Sequence, residues 1–287
     1  TSESEPLPTI AAVPGVVWTE TPAPLNTQAE ALACARRFLE SEFIGVDTAD
    51  YAFTVQEEAE QWRVEAAGGG ARYPIVLRYA NYRENDRMLT LFSPTRGRME
   101  VLSRGCRRPR SALLNASEVF ALGDFELYGR DGRATLVSAS LIETFYPLRA
   151  DFDRLSCGVY LLNLTEAAVQ PGVADQELFM LLLHTLSRLT FSAQEWKPLL
   201  SGFLLHYAAC EGFKPRLNHC ACCGKKLTGE EQTYFSHQDG GLVCHDCRRK
   251  GHIPIAAEQA KWMRMALETG SAGWVNTQTC YAPFAVL

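Results

Sequence analysis

Two Cys-x-x-Cys pairs, Cys220/Cys223 and Cys244/Cys247, stand with twenty residues between them near the end of a 287-residue chain, and no other feature restricts the fold as strongly. Each short turn aims two sulfurs at one point, and Gly224 permits the tight backbone after the second cysteine. Four thiolates so spaced suit a tetrahedral ion at about 2.3 Å, and they leave no open coordination position. The expectation is one structural zinc ion (Zn2+) rather than a redox dithiol or an iron–sulfur cluster. His219, Cys222 and His245 lie close enough to substitute for a ligand, Cys222 foremost. Between the pairs, 233–235 and 240–243 read as short strands of a zinc ribbon. Lys225, Lys226, Arg248, Arg249 and Lys250 flank it, either offsetting the charge of a four-thiolate zinc centre or touching nucleic acid.

The chain has ten cysteines, and those outside the pairs are scattered singly, which favours a reducing compartment and places the protein in the cytoplasm. No run approaches the ~18 apolar residues of a membrane span. Residues 6–18 carry three prolines and no preceding basic residue, unlike an export signal. The length predicts two or three units.

The net charge of −5 conceals a division along the chain. Residues 1–72 hold four Arg against twelve Asp and Glu, or −8; residues 73–150 hold twelve Arg against eight acids, or +4; the remainder holds twelve basic against thirteen acidic residues, or −1.

Composition and periodicity predict a multidomain α+β protein. Residues 1–26 read as a flexible leader. A helix is expected at 28–42, capped by Asn26 or Thr27, then strands at 51–55 and 61–64, with a boundary at Gly68-Gly69-Gly70. Strands at 75–79, 87–93, 98–103, 119–128 and 134–142 fit a small closed OB-like barrel, because closure removes exposed edges. Helical periodicity follows 147, with an amphipathic face at Trp196, Leu199, Leu200, Phe203 and Tyr207, and it resumes at 256–268.

Arg96, Arg98, Arg104, Arg107, Arg108 and Arg110 fall within fifteen residues, and Arg83 precedes them in an earlier turn. These are the expected DNA-binding residues, since guanidinium forks match phosphate oxygens and stack on bases. Tyr79, Tyr82, Phe92 and Tyr128 are candidate stacking platforms, Tyr82 the better surface candidate and Phe92 and Phe125 core. The competing reading is a solvated loop paired with Glu84, Asp86 and Glu100. No phosphate loop, HExxH, GxSxG or dinucleotide fingerprint is present, so no catalytic residue is assigned. His184 and His206 sit in apolar helices and read as core.

A series of local sequences is also distinctive: Ile75-Val76-Leu77-Arg78, Tyr82-Arg83-Glu84-Asn85-Asp86-Arg87, Leu89-Thr90-Leu91-Phe92-Ser93-Pro94 with Gly97, Arg104-Gly105-Cys106-Arg107-Arg108-Pro109, Phe125-Glu126-Leu127-Tyr128, Glu143-Thr144-Phe145-Tyr146-Pro147-Leu148-Arg149 and Gly240-Gly241-Leu242-Val243-Cys244. Over residues 74–287 this order resembles the bacterial DNA repair family RecO. The resemblance implies an OB domain at 73–149 and a helical domain at 150–287 with a zinc-binding module at 217–250. It further implies a role in the RecF pathway of recombination: binding single- and double-stranded DNA, annealing complementary strands and assisting RecA, with RecR and the acidic tail of the single-strand-binding protein as partners, in the nucleoid-associated cytoplasm. The alternative is a zinc-containing adaptor that docks those proteins without binding DNA. The resemblance omits residues 1–72, an acidic extension read as a fused small domain or a gene-joining artefact. The family's final helix beyond Pro283-Phe284 is also missing, and both ends are expected to be incomplete.

Overall fold

The computed structural model describes residues 27–30, 32, 33, 36, 73–130, 133–228 and 231–268, together with the backbone of three N-terminal strands. Those are β1 (Ile10–Ala12), β2 (Tyr51–Glu58) and β3 (Gln61–Gly68), with β3 central, parallel to β1 and antiparallel to β2. Thr27 starts the helix expected at 28–42 through a reciprocal cap: Glu30 N–H donates to Thr27 Oγ1 at 3.2 Å and Thr27 N–H to Glu30 Oε2 at 3.1 Å. Most of that helix, and the leader apart from β1, lie outside the described residues.

Strands β4 (Ile75–Tyr82), β5 (Asp86–Ser93), β6 (Gly97–Ser103), β7 (Leu122–Arg130) and β8 (Arg133–Glu143) form a closed barrel in the order β4-β5-β6-β8-β7, an OB-like arrangement. β6 and β8 run parallel, and Ile75 opposite Leu122 closes the circuit. Alternation along each strand decides what faces where. Val76, Leu89, Leu91, Val101, Phe125 and Leu136 form one core cluster, whereas Ile75, Leu77, Phe92 and Leu122 belong to a second shared with the helices. The strand β5 is therefore buried on both faces and reads as a nearly continuous apolar run.

The strand expected from 119 begins instead at Leu122. Phe120 takes a φ of 72° and is fully buried, while its N–H donates to Val76 O at 3.0 Å. Phe92 meets Phe179 edge-on, ring centroids 5.1 Å apart, and so is core as expected.

After a 3₁₀ turn at Tyr146–Ala150 come α1 (Phe152–Ala168), α2 (Gln176–Phe191), α3 (Trp196–Cys210) and, beyond the cysteines, α4 (Ala257–Glu268). Asp151 and Asp175 cap α1 and α2 by accepting from Arg154 N–H at 3.1 Å and Leu178 N–H at 3.0 Å. Unbroken burial from Leu178 to Leu186 makes α2 the central helix of this layer. His184 and His206 are buried in α2 and α3, and desolvation pushes them down to about 3 and about 4, so they sit neutral in the core.

The β5–β6 turn fastens the barrel to the helices. Gly172 N–H donates to Arg96 O at 3.0 Å, Arg98 N–H donates to Gln170 O at 3.1 Å, and Arg78 pairs with Glu166 at 2.8 Å.

Arg87 is a barrel arginine that sequence reasoning did not single out. Its guanidinium lies 3.8 Å from the Tyr79 ring centroid and donates to Ser117 O at 2.8 Å and Glu118 Oε1 at 2.7 Å. Arg87→Ala strips a buried carbonyl and a part-buried carboxylate of their donor. The expected loss is about 2–3 kcal/mol in a denaturant titration, with an unchanged strand content.

Candidate metal centre and nucleic-acid interface

The cysteine pairs are carried by a three-stranded antiparallel sheet of β9 (Thr233–Ser236), β10 (Gly241–Val243) and β11 (Ile253–Ile255), in the order β10-β9-β11. The first pair sits on a turn in which Gly224, at a φ of 75°, donates to Cys220 O at 2.9 Å. The second pair brackets a 3₁₀ turn at His245–Cys247. The sheet is anchored because Leu242, Val243 and Ile255 join the core cluster of α2, α3 and α4.

The four sulfurs of Cys220, Cys223, Cys244 and Cys247 lie within 4.8 Å of one another, with Cys223 and Cys244 at 3.8 Å. Ligands at about 2.3 Å from a tetrahedral ion stand about 3.8 Å apart, so this donor set can close around one metal ion. Cys220 Sγ accepts N–H groups from Cys223 at 3.5 Å and Cys244 at 3.4 Å. Burial pushes the Cys220 thiol up, but these donors outweigh it and hold the group at about 6. Side-chain hydrogen bonds with the sulfurs of Cys223 and Cys244 push the Cys247 thiol up.

The alternative ligands stand apart from this cluster. Cys222 is exposed, its sulfur 3.9 Å from Arg249 Nη2, and His245 Nδ1 lies 3.9 Å from Asp246. Burial pushes Cys157 and Cys210 up to about 12, as expected of inert core thiols.

The structure divides the seven candidate arginines between two ends of the barrel. Arg83 lies in the β4–β5 turn, and Arg104, Arg107, Arg108 and Arg110 follow β6. These segments are tied together: Arg107 N–H donates to Asn85 O at 3.1 Å, Arg107 Nη1 to Glu84 O at 3.2 Å, and Gly105 N–H to Asp86 Oδ1 at 2.7 Å. All five side chains are exposed. Arg96 lies in the β5–β6 turn and Arg98 at the start of β6, at the other end of β5 as the pairs Arg87–Ser103 and Ser93–Gly97 show. Seven steps at ~3.3 Å separate the ends by about 23 Å. The seven arginines, six of them within fifteen residues of sequence, thus form a five-arginine end and a separate pair at the helical interface, where the Arg98 Nε is buried.

The expected partners Asp86 and Glu100 accept instead from Gly105 N–H and Thr90 Oγ1. Tyr82 is 41% exposed beside Arg83, whose guanidinium is 5.2 Å from its ring centroid, and Tyr128 is 61% exposed. Tyr128 stands opposite Thr135, whose other neighbour is Leu102 of β6, one residue short of the arginine end.

A family model described as Recombination protein O N terminal matches residues 72–145, and one described as Recombination protein O C terminal matches 149–279. The DNA repair protein RecO of Alkaliphilus metalliredigens is 37% identical over 173 residues, covering 60% of this chain and 70% of that protein. The chain belongs to the RecO family. Its RecO relatives from Moorella thermoacetica and Syntrophomonas wolfei are 32% and 31% identical, with 62% and 64% of this chain and 65% and 73% of theirs aligned. It is accordingly a DNA repair and recombination protein, with the RecO match beginning where the acidic extension ends. Among the described residues, no helix of this RecO-family chain is long and apolar enough to cross a membrane.

Proposed function

We propose that the chain is a non-catalytic recombination mediator whose barrel holds single- and double-stranded DNA at the five-arginine end, assisting strand annealing and the loading of RecA in the cytoplasm near the nucleoid. The observation that carries this reading is the convergence of Arg83, Arg104, Arg107, Arg108 and Arg110, all exposed, beside the exposed ring of Tyr82. Guanidinium groups neutralise phosphates with release of counterions, and a ring at their margin offers a stacking face. The units are 73–149, 150–287 and the metal module at 217–250. The module's ion is zinc, because an all-sulfur tetrahedral set suits it best; it is structural, since four thiolates leave no position for water.

Fluorescence anisotropy with a labelled single strand tests the interface. Arg104→Ala, Arg107→Ala and Arg108→Ala together should weaken binding about 100-fold at moderate salt, whereas Arg96→Ala should change it less than about twofold. Equal losses from both would refute the assignment.

Partner docking has separate support. An apolar groove of about 210 Å³ lies between α3, the cysteine sheet and α4, lined by Leu204, Leu205, Ala208, Phe213, Phe235 and Ile253. Exposed Lys214 lies in sequence between two lining residues, Phe213 and Pro215. An acidic peptide with an apolar end, such as the tail of the single-strand-binding protein, fits that chemistry. The reading as an adaptor with RecR and that protein as partners, and no DNA binding, rests on this groove alone.

A further inference from the structure

The apolar groove beside α3 has walls of two kinds. Leu204 and Ala208 stand one turn apart on a single face of α3, a helix that holds itself. The facing walls come from elsewhere: Phe235 of β9 with Ile253 of β11, and Phe213 with Pro215 on the segment that leaves α3.

Both facing walls hang on the cysteine turns. Phe235 pairs with Leu242 of β10 on one side and with Ile253 on the other, and β10 runs directly into Cys244. The loop from Cys247 to Ile253 is tied back to the β9–β10 turn through His252. Its Nδ1 accepts the Arg249 N–H at 3.2 Å, its Nε2 lies 3.9 Å from Asp239 Oδ2, and that carboxylate accepts from Ser236 Oγ at 2.7 Å. In the other wall Arg216, next to Pro215, donates its N–H to Gly240 O at 3.0 Å and accepts from Leu242 N–H at 2.8 Å. Leu242 O in turn accepts at 2.8 Å from the N–H of Ala221, the residue after Cys220. Both walls therefore share β10, which is fixed between one cysteine turn and the other. Strands of four, three and three residues do not hold a sheet by themselves, so the thiolates closed around an ion must supply what the sheet lacks.

We propose that the four-cysteine centre controls the groove, so that a metal ion bound by the cysteines and an acidic peptide with an apolar end seated in the groove strengthen each other's binding. This rests on the reading of the groove as a docking site for such a peptide. The apolar lining suits one end of it, and the exposed cations Lys214 and Arg216, on either side of Pro215, suit the acidic remainder. Coupling of this kind is reciprocal: whatever factor the ion adds to peptide affinity, the peptide adds to ion affinity. Without the ion the walled groove is a minor state, and the affinity for peptide falls with its population, by about 10- to 100-fold.

The full chain is the material for the test, with a labelled peptide of four aspartates ending in leucine and phenylalanine as the probe. Anisotropy gives the peptide affinity of the zinc-loaded chain and of the chain stripped by a chelator. Competition with a chromophoric chelator gives the zinc affinity with and without saturating peptide. Stripping should weaken peptide binding about 10- to 100-fold, and peptide should tighten zinc by the same factor. Amide exchange of β5 should not change, which separates opening of the module from general unfolding. Leu204→Asp, on the wall that α3 supplies, should abolish peptide binding with zinc retained. Binding that Leu204→Asp removes but stripping alters less than twofold overturns the coupling and leaves the docking reading intact. A loaded chain that ignores the peptide, or binds it regardless of Leu204→Asp, overturns the docking reading and the proposal with it. Faster exchange of β5 after stripping makes the ion a support of the whole chain and overturns the local control. Self-association of the loaded chain that the peptide reverses assigns the groove to a second copy and overturns the peptide as its occupant.

Discussion

Cys244→Ser is expected to release the metal and open the module while the barrel stays folded. Cys244 is 2% exposed, its N–H donates to Cys220 Sγ, and its own sulfur is 3.8 Å from Cys223, so it sits at the centre of the cluster. A serine hydroxyl does not ionise at neutral pH, which leaves three thiolate ligands for the ion. In small zinc modules the metal supplies about 10–16 kcal/mol of apparent binding energy, most of it folding energy. The three-stranded sheet that carries the pairs is too small to stand alone, so loss of the ion exposes Leu242, Val243 and Ile255 and uncovers the faces of α3 and α4 beneath them. Metal content by atomic emission, with limited proteolysis between Lys225 and Cys244, should fall from one ion to near none and show new cleavage. Cys222→Ser should retain the ion, because its sulfur lies outside the cluster. The reverse pattern would make Cys222 a ligand.

Gly97→Ala should be nearly as severe, for a different reason. A Cβ there would lie 2.3 Å from both Gln170 O and Val173 O, and Gly97 holds a φ of 64°. The left-handed conformation costs an alanine about 1 kcal/mol, and two backbone overlaps can be relieved only by parting the β5–β6 turn from the loop after α1. A destabilisation of about 3–5 kcal/mol is expected in chemical denaturation, with faster amide exchange at Arg98 and Gly172. Gly129→Ala, where an added Cβ meets nothing within 4 Å, serves as the near-neutral control. Comparable losses in the two variants would mean that the turn does not fasten the barrel.

Local chemistry made much of this fold legible. The five strands followed from alternation and turn residues, and the cysteine cluster from a spacing that has few other uses. The hidden parts depend on distant neighbours. Ile253-Pro254-Ile255 does not read as a strand because proline cannot donate to a ladder, yet β11 is an edge strand, where proline is tolerated. Phe120 breaks an expected strand because its ring fills the junction of barrel and helices, against Gly158.

The arginines illustrate the same limit. Arg98 and Arg104 are six residues apart and look like one patch, but β6 carries them to opposite ends, and only the ties to Gln170 and Asn85 reveal which end meets the helices. Arg87 was invisible because a buried arginine and an exposed one have the same letter.

The most direct measurement is the salt dependence of single-strand binding. Five arginine–phosphate contacts predict a slope of log K against log salt of about −3.5, and removing Arg104, Arg107 and Arg108 should reduce its magnitude by about 2. A slope and an affinity left unchanged by those three replacements would contradict the assignment of the barrel's arginine end to nucleic acid.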